Sequence, residues 1–281
     1  MQRKYALLGG KLGHTLSPPI HKRLFELKNR EFEYELIESE PEQLEGKKDE
    51  LASLAGYNVT IPHKQAIIAQ LDKLDASAKR YGAVNCVDNK NGVLTGYNTD
   101  CDGFLRSIKT SGGSLSGNVL LLGAGGVGRM MAIETALAHG RLTMAVLESF
   151  IPQTQKVAED IRALVPDAQV SIVTFDNIPD EHFDTMINAT PVGMYPKCDA
   201  CVVSDEVIAN ADFVFDAIYN PKETLLIKKA KSMGKTAVGG MAMLVWQAVS
   251  AHEIWDGDSY TEDEVQAIID EMYEKVERDF K

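Results

Sequence analysis

The amino-acid sequence predicts an α/β protein that folds into two domains. Its 281 residues correspond to about two domains of ~150 residues each. The hydrophobic fraction of 44% and the charged fraction of 25% are typical of a globular protein, which argues against disorder as the main state. Strand-like apolar runs alternate with helix-like patterns along almost the whole chain, as they do in α/β folds.

Charge, hydropathy and cysteine number restrict the class of function. With 29 Lys and Arg against 41 Asp and Glu, the net charge is −12, so nucleic acid and anionic lipid are not expected as partners. No apolar run approaches the ~18 residues of a membrane helix, and the N-terminal apolar stretch is too short for a secretion signal. Four cysteines do not make a disulfide scaffold in a chain of this length. We therefore expect a reduced, cytoplasmic protein.

The first predicted elements open an α/β layer. Tyr5–Gly9 is a short apolar strand that ends in glycines. Ser17-Pro18 is typical of a helix start, with Ser17 as the cap residue. Glu31–Glu38 alternates apolar and acidic residues, which predicts a half-buried strand. The apolar residues of that strand share one face: Phe32, Tyr34 and Leu36.

Further elements complete the first hundred residues. They are helices at Pro41–Leu54 and Gln65–Leu71, a strand at Tyr57–Thr60, and a hairpin of Val84–Asp88 and Val93–Tyr97. Asn91-Gly92 between the hairpin strands is a strong signal, because both residues tolerate positive φ. After a helix at Asp102–Thr110, the glycine- and serine-rich segment 111–114 predicts a flexible break.

The rest of the chain repeats strands and helices as a doubly wound parallel sheet does. Six strands are predicted: Val119–Leu122, Leu142–Leu147, Gln169–Thr174, Thr185–Asn188, Phe213–Ala217 and Thr236–Val238. Two amphipathic tail helices, Met241–Trp255 and Thr261–Arg278, are expected to pack on the first domain. The predicted domains are therefore residues 1–101 with 241–281, and residues 102–240.

The segment Gly123–Gly128, Gly-Ala-Gly-Gly-Val-Gly, is the sharpest local motif, and it lies between an apolar strand and a helical stretch. The first glycine allows a tight turn, the second lets the backbone approach a pyrophosphate, and the third lets helix and strand pack closely. A helix N-terminus also favours negative charge. The segment predicts a dinucleotide-binding domain of the Rossmann type, and a merely structural turn is the alternative. The predicted cofactor residues here are Gly123, Ala124, Gly125, Gly126 and Val127.

Glu148 follows the second strand of this domain, twenty positions after Gly128. An acidic residue ~20 positions on holds the adenosine ribose hydroxyls in such domains. A carboxylate there would repel a 2′-phosphate, and the neighbouring Ser149 and Phe150 supply no cation. The sequence therefore favours NAD over NADP, and a solvated loop residue is the alternative for Glu148.

Two polar segments of the first domain, Asn58–Lys64 and Gly96–Asp100, each lie at the carboxyl-terminal end of a predicted strand. Ligands of α/β sheets bind at the carboxyl ends of strands, so Lys64 and Asp100 form a candidate proton-transfer pair. On the pattern alone, a solvated surface lysine is the alternative, since most lysines are exposed.

Motifs over nearly the whole chain resemble those of the shikimate dehydrogenase family, including its quinate-using relatives. Besides the glycine segment, they are His14–Pro18 with Ile20-His21, Asn58–Lys64, Gly82–Asn85, Asn98–Asp100 with Gly103, Asn188–Met194, Asp216–Pro221 and Met243–Ala248. So many motifs in the same order are far more specific than the glycine segment alone. The resemblance implies that the first domain binds substrate and carries catalysis, and that the second binds NAD or NADP.

The resemblance also implies a role for each matching residue. Lys64 is implied as the catalytic lysine, with Asp100 as its carboxylate partner. Thr15 and Ser17 match the hydroxyls that hold the substrate carboxylate. The other substrate-binding residues implied, with Asp100, are Thr60, Asn85, Tyr219 and Gln247. Residues implied along the cofactor, besides the glycine segment and Glu148, are Thr190, Ala217, Gly240 and Met243.

The activity implied is the reversible, NAD(P)-dependent interconversion of 3-dehydroshikimate and shikimate in aromatic amino-acid biosynthesis. Lys64 would accept or relay the hydroxyl proton, or stabilise the charge that develops on the oxygen. An NAD-dependent enzyme of quinate and shikimate is the alternative, and a non-catalytic ligand sensor on the same scaffold is a further one. A monomer or homodimer is expected.

Three positions depart from the family pattern. Glu148-Ser149-Phe150 stands where NADP-using members usually carry an Asn-Arg-Ser/Thr segment, which agrees with the charge argument for NAD. Thr15 stands where serine is usual, and its extra methyl group is expected to affect how well the site fits shikimate compared with quinate. Ala242 stands where glycine is common, next to the expected nicotinamide pocket.

Cys198 and Cys201 have the CxxC spacing of metal and redox motifs. A zinc site would need two more ligands, and Cys86 and Cys101 are not a second close pair. The six histidines show no HExxH spacing, and His14 and His63 are interpreted as structural. We therefore expect no metal.

Overall fold

A computed structural model describes residues 3–13 and 15–279 of the chain, so His14 of the first motif lies outside the described residues. The chain forms two compact units, Met1–Gly103 with Leu244–Met272, and Phe104–Met243 with Tyr273–Lys281. The first boundary therefore lies at 103 rather than at the expected 101. The end of the last helix belongs to the second unit, whereas the sequence placed the whole tail with the first domain.

The first unit contains a six-stranded mixed sheet with the strand order β2-β1-β3-β5-β6-β4. Its strands are β1 (Arg3–Gly9), β2 (Phe32–Glu38), β3 (Gly56–Val59), β4 (Lys73–Leu74), β5 (Cys86–Lys90) and β6 (Val93–Tyr97). Its helices are α1 (Ser17–Leu27), α2 (Lys48–Ala52) and α3 (Ala76–Tyr81), with 3-10 turns at Pro41–Lys47 and Ala66–Gln70. The predicted hairpin of β5 and β6 is present, with positive φ at Asn91 and Gly92.

Helix α1 does not begin as predicted. Its cap residue is Leu16, and Ser17 is the first helical residue. The backbone N–H of Ser17 donates to Thr15 Oγ1 at 3.2 Å, so Thr15 supplies the hydroxyl that the sequence assigned to Ser17. The shift leaves the Ser17 side chain available for other contacts.

Two other predictions for this unit were wrong in detail, and two elements were missed. Leu36 is 46% exposed whereas Ile37 is buried, so the end of the edge strand β2 does not keep the predicted face buried. The helix expected over 41–54 is a 3-10 turn followed by the short α2. The sequence analysis missed β4 and α3, although α3 has an Asp75 cap that accepts from Ala78 N at 2.8 Å.

The core of the first unit includes a residue from near the end of the chain. Trp255 lies 4.7 Å from Tyr5 between ring centroids, and its indole N–H donates to Val87 O at 2.9 Å. A side chain on Gly56 would overlap this indole ring, so only glycine fits there. Trp255 belongs to α9 (Met241–Asp256), which is followed by α10 (Glu262–Asp279).

The second unit contains an entirely parallel six-stranded sheet with the order β12-β11-β10-β7-β8-β9. Its strands are β7 (Asn118–Leu122), β8 (Arg141–Val146), β9 (Val170–Thr174), β10 (Phe183–Asn188), β11 (Ala211–Asp216) and β12 (Thr236–Gly239). The helices are α5 (Gly126–Leu137), α6 (Ile151–Leu164), α7 (Asp205–Ala209) and α8 (Leu225–Ser232), after α4 (Asp100–Thr110). The predicted doubly wound sheet is confirmed.

The strand order places the ligand-binding edge of this sheet. The order in which successive strands are added to the sheet reverses at β7, whose neighbours are β8 and β10. In doubly wound sheets, ligands bind outside the carboxyl ends of the strands at such a reversal. Residues after Leu122, Val146 and Asn188 therefore lie at the expected cofactor position. Within residues 3–13 and 15–279, no helix combines the length and the apolar character needed to span a membrane.

Candidate active site

Lys64 and Asp100 are in direct contact in the first unit. Lys64 Nζ lies 2.6 Å from Asp100 Oδ2, and the side chains are 26% and 19% exposed. Lys64 is held by its backbone, because its carbonyl accepts from Val84 N at 2.7 Å. Asp100 is the first residue of α4. The pair therefore presents an ammonium and a carboxylate, from two separate segments, at a site that solvent still reaches.

The side-chain amide of Asn85 connects Asp100 to two further residues. Asn85 Nδ2 donates to Asp100 Oδ1 at 2.9 Å and lies 3.4 Å from Gln247 Oε1. Its Oδ1 accepts from the backbone N–H of Thr99 at 2.6 Å. Because that N–H can only donate, it fixes which end of the amide faces Asp100.

Gln247 reaches this group from α9. Its Nε2 donates to the carbonyl of Leu244 at 2.9 Å, which leaves Oε1 toward Asn85. We call the set of Lys64, Asp100, Asn85, Thr99 and Gln247 the Lys64 cluster. The cluster combines one cation and one anion with neutral donors and acceptors, as recognition of a ligand with several hydroxyls requires.

Thr99 is a member of the cluster that the sequence analysis did not single out. Its side chain is fully buried, and its hydroxyl lies 3.0 Å from Asn85 Nδ2. The residue was inside the quoted segment Asn98–Asp100, but its contribution is mainly a backbone N–H, which every residue type other than proline has. Residue type therefore gives no signal for this role.

Thr15, Ser17 and Thr60 supply three further hydroxyls in the first unit. The Thr15 and Ser17 oxygens are 3.3 Å apart at the N-terminal end of α1. A helix N-terminus favours a negatively charged group, so the two hydroxyls suit a carboxylate. Thr60 follows β3, and its backbone N–H donates to Leu8 O at 2.8 Å.

His63, next to Lys64, is fully buried and has a structural contact. Its Nε2 lies 2.7 Å from the carbonyl oxygen of Ser39, which can only accept, so Nε2 carries the proton. The contact holds the segment that precedes Lys64 against the residue that follows β2. This agrees with the interpretation of His63 as structural.

The glycine segment of the second unit has the geometry expected at a pyrophosphate. Gly123 has φ +88°, which disfavours residues other than glycine. A Cβ on Gly128 would overlap the carbonyl oxygen of Gly123, whereas a Cβ on Gly125 or Gly126 would meet open space. The free space therefore lies at the N-terminus of α5. The first N–H groups of a helix have no partner within the helix, and they favour an anion there. Ala124 is buried and Val127 is 40% exposed.

Glu148 follows β8, the strand paired with β7, and is exposed within a 3-10 turn. The apolar side chains on either side, Leu147 and Phe150, are 59% and 49% exposed. The carboxylate is thus accessible at the carboxyl edge of the sheet, which is where a cofactor ribose would lie.

The remaining predicted cofactor residues follow β10, β11 and β12. Thr190 packs its methyl group against Gly123, because a Cβ on that glycine would lie 2.8 Å from Thr190 Cγ2. Ala217 N donates to Asn188 O at 2.9 Å, and a Cβ on Gly240 would overlap the Ala217 carbonyl. Met243 is buried in α9.

Tyr219 lies in the second unit, unlike the other residues predicted to bind substrate. It follows β11 and is half-buried. Burial raises the pKa of its hydroxyl, so the group is a neutral donor and acceptor at neutral pH.

Two groups of described residues bring histidine and aspartate ligand atoms within 4.8 Å of one another: His182 with Asp184 and Asp212, and His252 with Asp256 and Asp258. The first group is exposed. In the second, Arg30 pairs with both aspartates. Cys198 and Cys201 are free thiols. None of these observations adds to the argument for a metal.

Three comparisons with known proteins agree with one another. Residues 7–87 match the family model described as the shikimate dehydrogenase substrate binding domain. A protein of Caldanaerobacter subterraneus subsp. tengcongensis named shikimate dehydrogenase (NADP(+)) is 37% identical over 277 residues, which cover 97% of this chain and 95% of that protein.

Solved structures give the same likeness over the whole fold. A shikimate 5-dehydrogenase of Listeria monocytogenes, in complex with shikimate and NAD, has a TM-score of 0.86 and 27% identity and covers 95% of this chain and 96% of that chain. A shikimate 5-dehydrogenase of Thermus thermophilus, in complex with NADP(H) and shikimate, has a TM-score of 0.84 and 30% identity. The match covers 96% of this chain and 99% of that chain.

Proposed function

This chain belongs to the shikimate dehydrogenase family, and on that premise we propose that it interconverts 3-dehydroshikimate and shikimate with NAD or NADP. The observation that carries the proposal is the 2.6 Å contact between Lys64 and Asp100, with Asn85 and Gln247 attached to it by hydrogen bonds. A proton-transferring pair surrounded by hydroxyl-binding groups is what oxidation of a ring alcohol requires.

The polar residues described above for the first unit each have a role in this proposal. The Thr15 and Ser17 hydroxyls bind the carboxylate of shikimate. The ring hydroxyls bind the Lys64 cluster and Thr60. A site that bonds each hydroxyl discriminates strongly against analogues that lack one, because its own buried polar groups would then be unpaired.

Lys64 handles the proton of the reacting hydroxyl. The nicotinamide of a bound NAD or NADP would supply the hydride chemistry. In the oxidative direction Lys64 takes the hydroxyl proton if its amine is neutral, or as an ammonium it stabilises the charge that develops on the oxygen, and in reduction the ammonium returns the proton. Asp100 orients the ammonium, and Asn85 holds Asp100.

We further propose that the enzyme prefers NAD. The glycine segment accommodates the pyrophosphate of either cofactor, so the preference rests on Glu148, whose accessible carboxylate binds ribose hydroxyls and repels a 2′-phosphate. A preference for NAD would distinguish this chain from the relatives named for NADP(+). A cytoplasmic location and a monomeric or dimeric state remain predictions from the sequence.

A two-by-two assay tests these proposals. The purified protein is mixed with shikimate or quinate, each with NAD or NADP, and reduced cofactor is followed spectroscopically. We expect the highest kcat/KM with shikimate and NAD. A strong NADP preference would contradict the role of Glu148, and comparable rates on quinate would indicate a dual-substrate enzyme. Binding without turnover on any pairing would favour the non-catalytic sensor.

A further inference from the structure

Asn188 and Asp216 are two buried polar residues to which the proposed function gives no role. They are partners in the pairing of β10 with β11, and both are fully buried. A buried carboxylate is costly unless donors surround it. Asp216 has three donors: Asn188 Nδ2 at 3.0 Å, Ile218 N at 3.1 Å and Thr224 Oγ1 at 2.6 Å.

The orientation of the Asn188 amide is fixed from both ends. Its nitrogen faces the Asp216 carboxylate, and its oxygen accepts from the backbone N–H of Thr190 at 3.0 Å. A flipped amide would place oxygen against carboxylate and NH₂ against N–H, which loses both contacts. Asp216 therefore determines that the carbonyl end of Asn188 faces Thr190.

This orientation decides what the Thr190 hydroxyl can do. Thr190 Oγ1 lies 2.7 Å from Asn188 Oδ1, and an amide oxygen cannot donate, so the hydroxyl proton points to Asn188. The backbone N–H of Val192 donates to Thr190 Oγ1 at 3.2 Å. A hydroxyl has one proton and two lone pairs, so Thr190 retains one lone pair and no proton for a ligand.

We propose that Asp216, acting through Asn188, fixes the Thr190 hydroxyl as an acceptor for a hydrogen-bond donor of the bound cofactor. The proposal rests on the proposed function, which places Thr190 along NAD(P). At the nicotinamide end, where the family resemblance puts this segment, the donors would be the carboxamide NH₂ and the ribose hydroxyls, whereas the pyrophosphate offers acceptors only. Asp216 is thus a positioning residue for cofactor binding.

The main test compares Asn188→Ala, Asp216→Ala and the double variant. Each single variant is expected to raise the KM for the cofactor about fivefold, which is the effect of one hydrogen bond, with the KM for shikimate unchanged. If Asp216 acts through Asn188, the double variant is no worse than Asn188→Ala alone. Additive effects, or a folded Asp216→Ala with the wild-type cofactor KM, would overturn the proposal.

Thr185→Val is the matched control. Thr185 lies on the same strand as Asn188, is fully buried, and bonds Ser114 O at 2.7 Å. The variant loses a buried hydroxyl without touching the Asp216 chain, so its cofactor KM is expected to equal that of the wild type. If Thr185→Val raised the cofactor KM as much as Asp216→Ala does, loss of any buried hydrogen bond in β10 would be enough to weaken cofactor binding. That result would overturn the specific role of Asp216.

Asp216→Asn and two Thr190 variants keep the test open if Asp216→Ala does not fold. Asp216→Asn retains an acceptor for Asn188 and should partly restore the cofactor KM. Thr190→Ser should behave as the wild type and Thr190→Val as Asn188→Ala. Equal cofactor KM values for Thr190→Ser and Thr190→Val would overturn the acceptor role.

A cofactor analogue with an acetyl group in place of the carboxamide identifies the donor. If the donor is the carboxamide NH₂, Thr190→Val should not raise the KM for the analogue above that of the wild type. If the donor is a ribose hydroxyl, the cost is the same with both cofactors. Absence of turnover by the wild type would contradict the proposed function, whereas wild-type turnover with an unchanged KM in folded Asp216→Ala contradicts the positioning role alone.

Discussion

Lys64 is the residue whose loss is expected to change the chemistry most. Lys64→Ala should lower kcat by about a hundredfold or more, the usual size of general acid–base catalysis, and leave the KM for shikimate within a fewfold. Steady-state kinetics checks this. Lys48→Ala is the control, because Lys48 is an exposed lysine of the same unit. Near-normal turnover of Lys64→Ala would remove Lys64 from the mechanism.

Glu148 is the residue expected to set the choice of cofactor. Glu148→Gln removes one negative charge, and a charge pair at short range in water is worth about 1 kcal/mol. The ratio of kcat/KM with NADP to that with NAD should therefore rise about fivefold, more at low ionic strength. Glu159→Gln, an exposed glutamate on α6, should leave the ratio unchanged. An unchanged ratio in Glu148→Gln would make Glu148 a solvated loop residue.

Residue type predicted some of these groups and could not predict others. Lys64 and Asp100 were identified as a pair from polar segments after strands, and they are in contact. Thr99 acts mainly through its backbone N–H, which residue type does not encode. The contact of Asp216 with Asn188 depends on the pairing register of β10 and β11, and sequence alone does not give that register.

The glycines of the turn between β7 and α5 have different surroundings. Substitutions there are therefore expected to affect stability and cofactor binding separately. A Cβ on Gly125 meets open space and φ is −69°, so Gly125→Ala should keep the melting temperature close to that of the wild type. The same methyl group would occupy the space in which the pyrophosphate is proposed to bind, so the cofactor KM should rise about tenfold or more. Thermal melting and kinetics measure the two effects.

Gly128→Ala provides the contrast at this turn. Its methyl group would overlap Gly123 O, and overpacking costs about 1–3 kcal/mol, so this variant should melt at a lower temperature. Gly46→Ala, also in open space, should change neither property. A Gly125→Ala variant that binds cofactor normally would place the pyrophosphate elsewhere.

Elements with strong periodicity or turn chemistry were predicted best. The six strands of the second unit and the Asn91-Gly92 hairpin are present because long apolar runs and positive-φ residues leave few alternatives. The cap of α1 was predicted at Ser17, one residue after the actual cap, Leu16. Sequence could not decide between Thr15 and Ser17, because both carry a hydroxyl that can accept from a backbone N–H at the helix start. The prediction of a single helix over 41–54 was wrong, because the short turns of this segment are stabilised by local caps rather than by one apolar face.

The pH dependence of unfolding is a property of the whole molecule to which Asp216 contributes a defined part. Burial raises its pKa from 3.8 to about 6, so the folded protein binds more protons than the unfolded chain between these values. The stability that protonated Asp216 contributes is present below pH ~4 and is lost as pH rises through ~6. The loss amounts to about 3 kcal/mol.

Comparison with Asp216→Asn isolates this contribution. Burial lowers the pKa of His21 to about 3 and that of His252 in the same direction, so the two histidines destabilise the fold as pH falls below ~6.5. Their effect cancels in the difference between variant and wild type. From pH 4 to 7 the unfolding free energy of Asp216→Asn, measured with urea, should rise relative to that of the wild type. Asp167→Asn, an exposed aspartate, should give a flat difference, and a flat difference for Asp216→Asn would contradict its raised pKa.

The position of Trp255 has a consequence for the order of events during synthesis on the ribosome. The indole ring completes a core whose other members include Tyr5 and Val87, yet it is translated about 170 residues after Val87. Domains generally fold as units as they emerge. The amino-terminal strands must therefore wait, incompletely covered and open to chaperones, until translation has almost ended, whereas the parallel sheet encoded between them and Trp255 can be finished first.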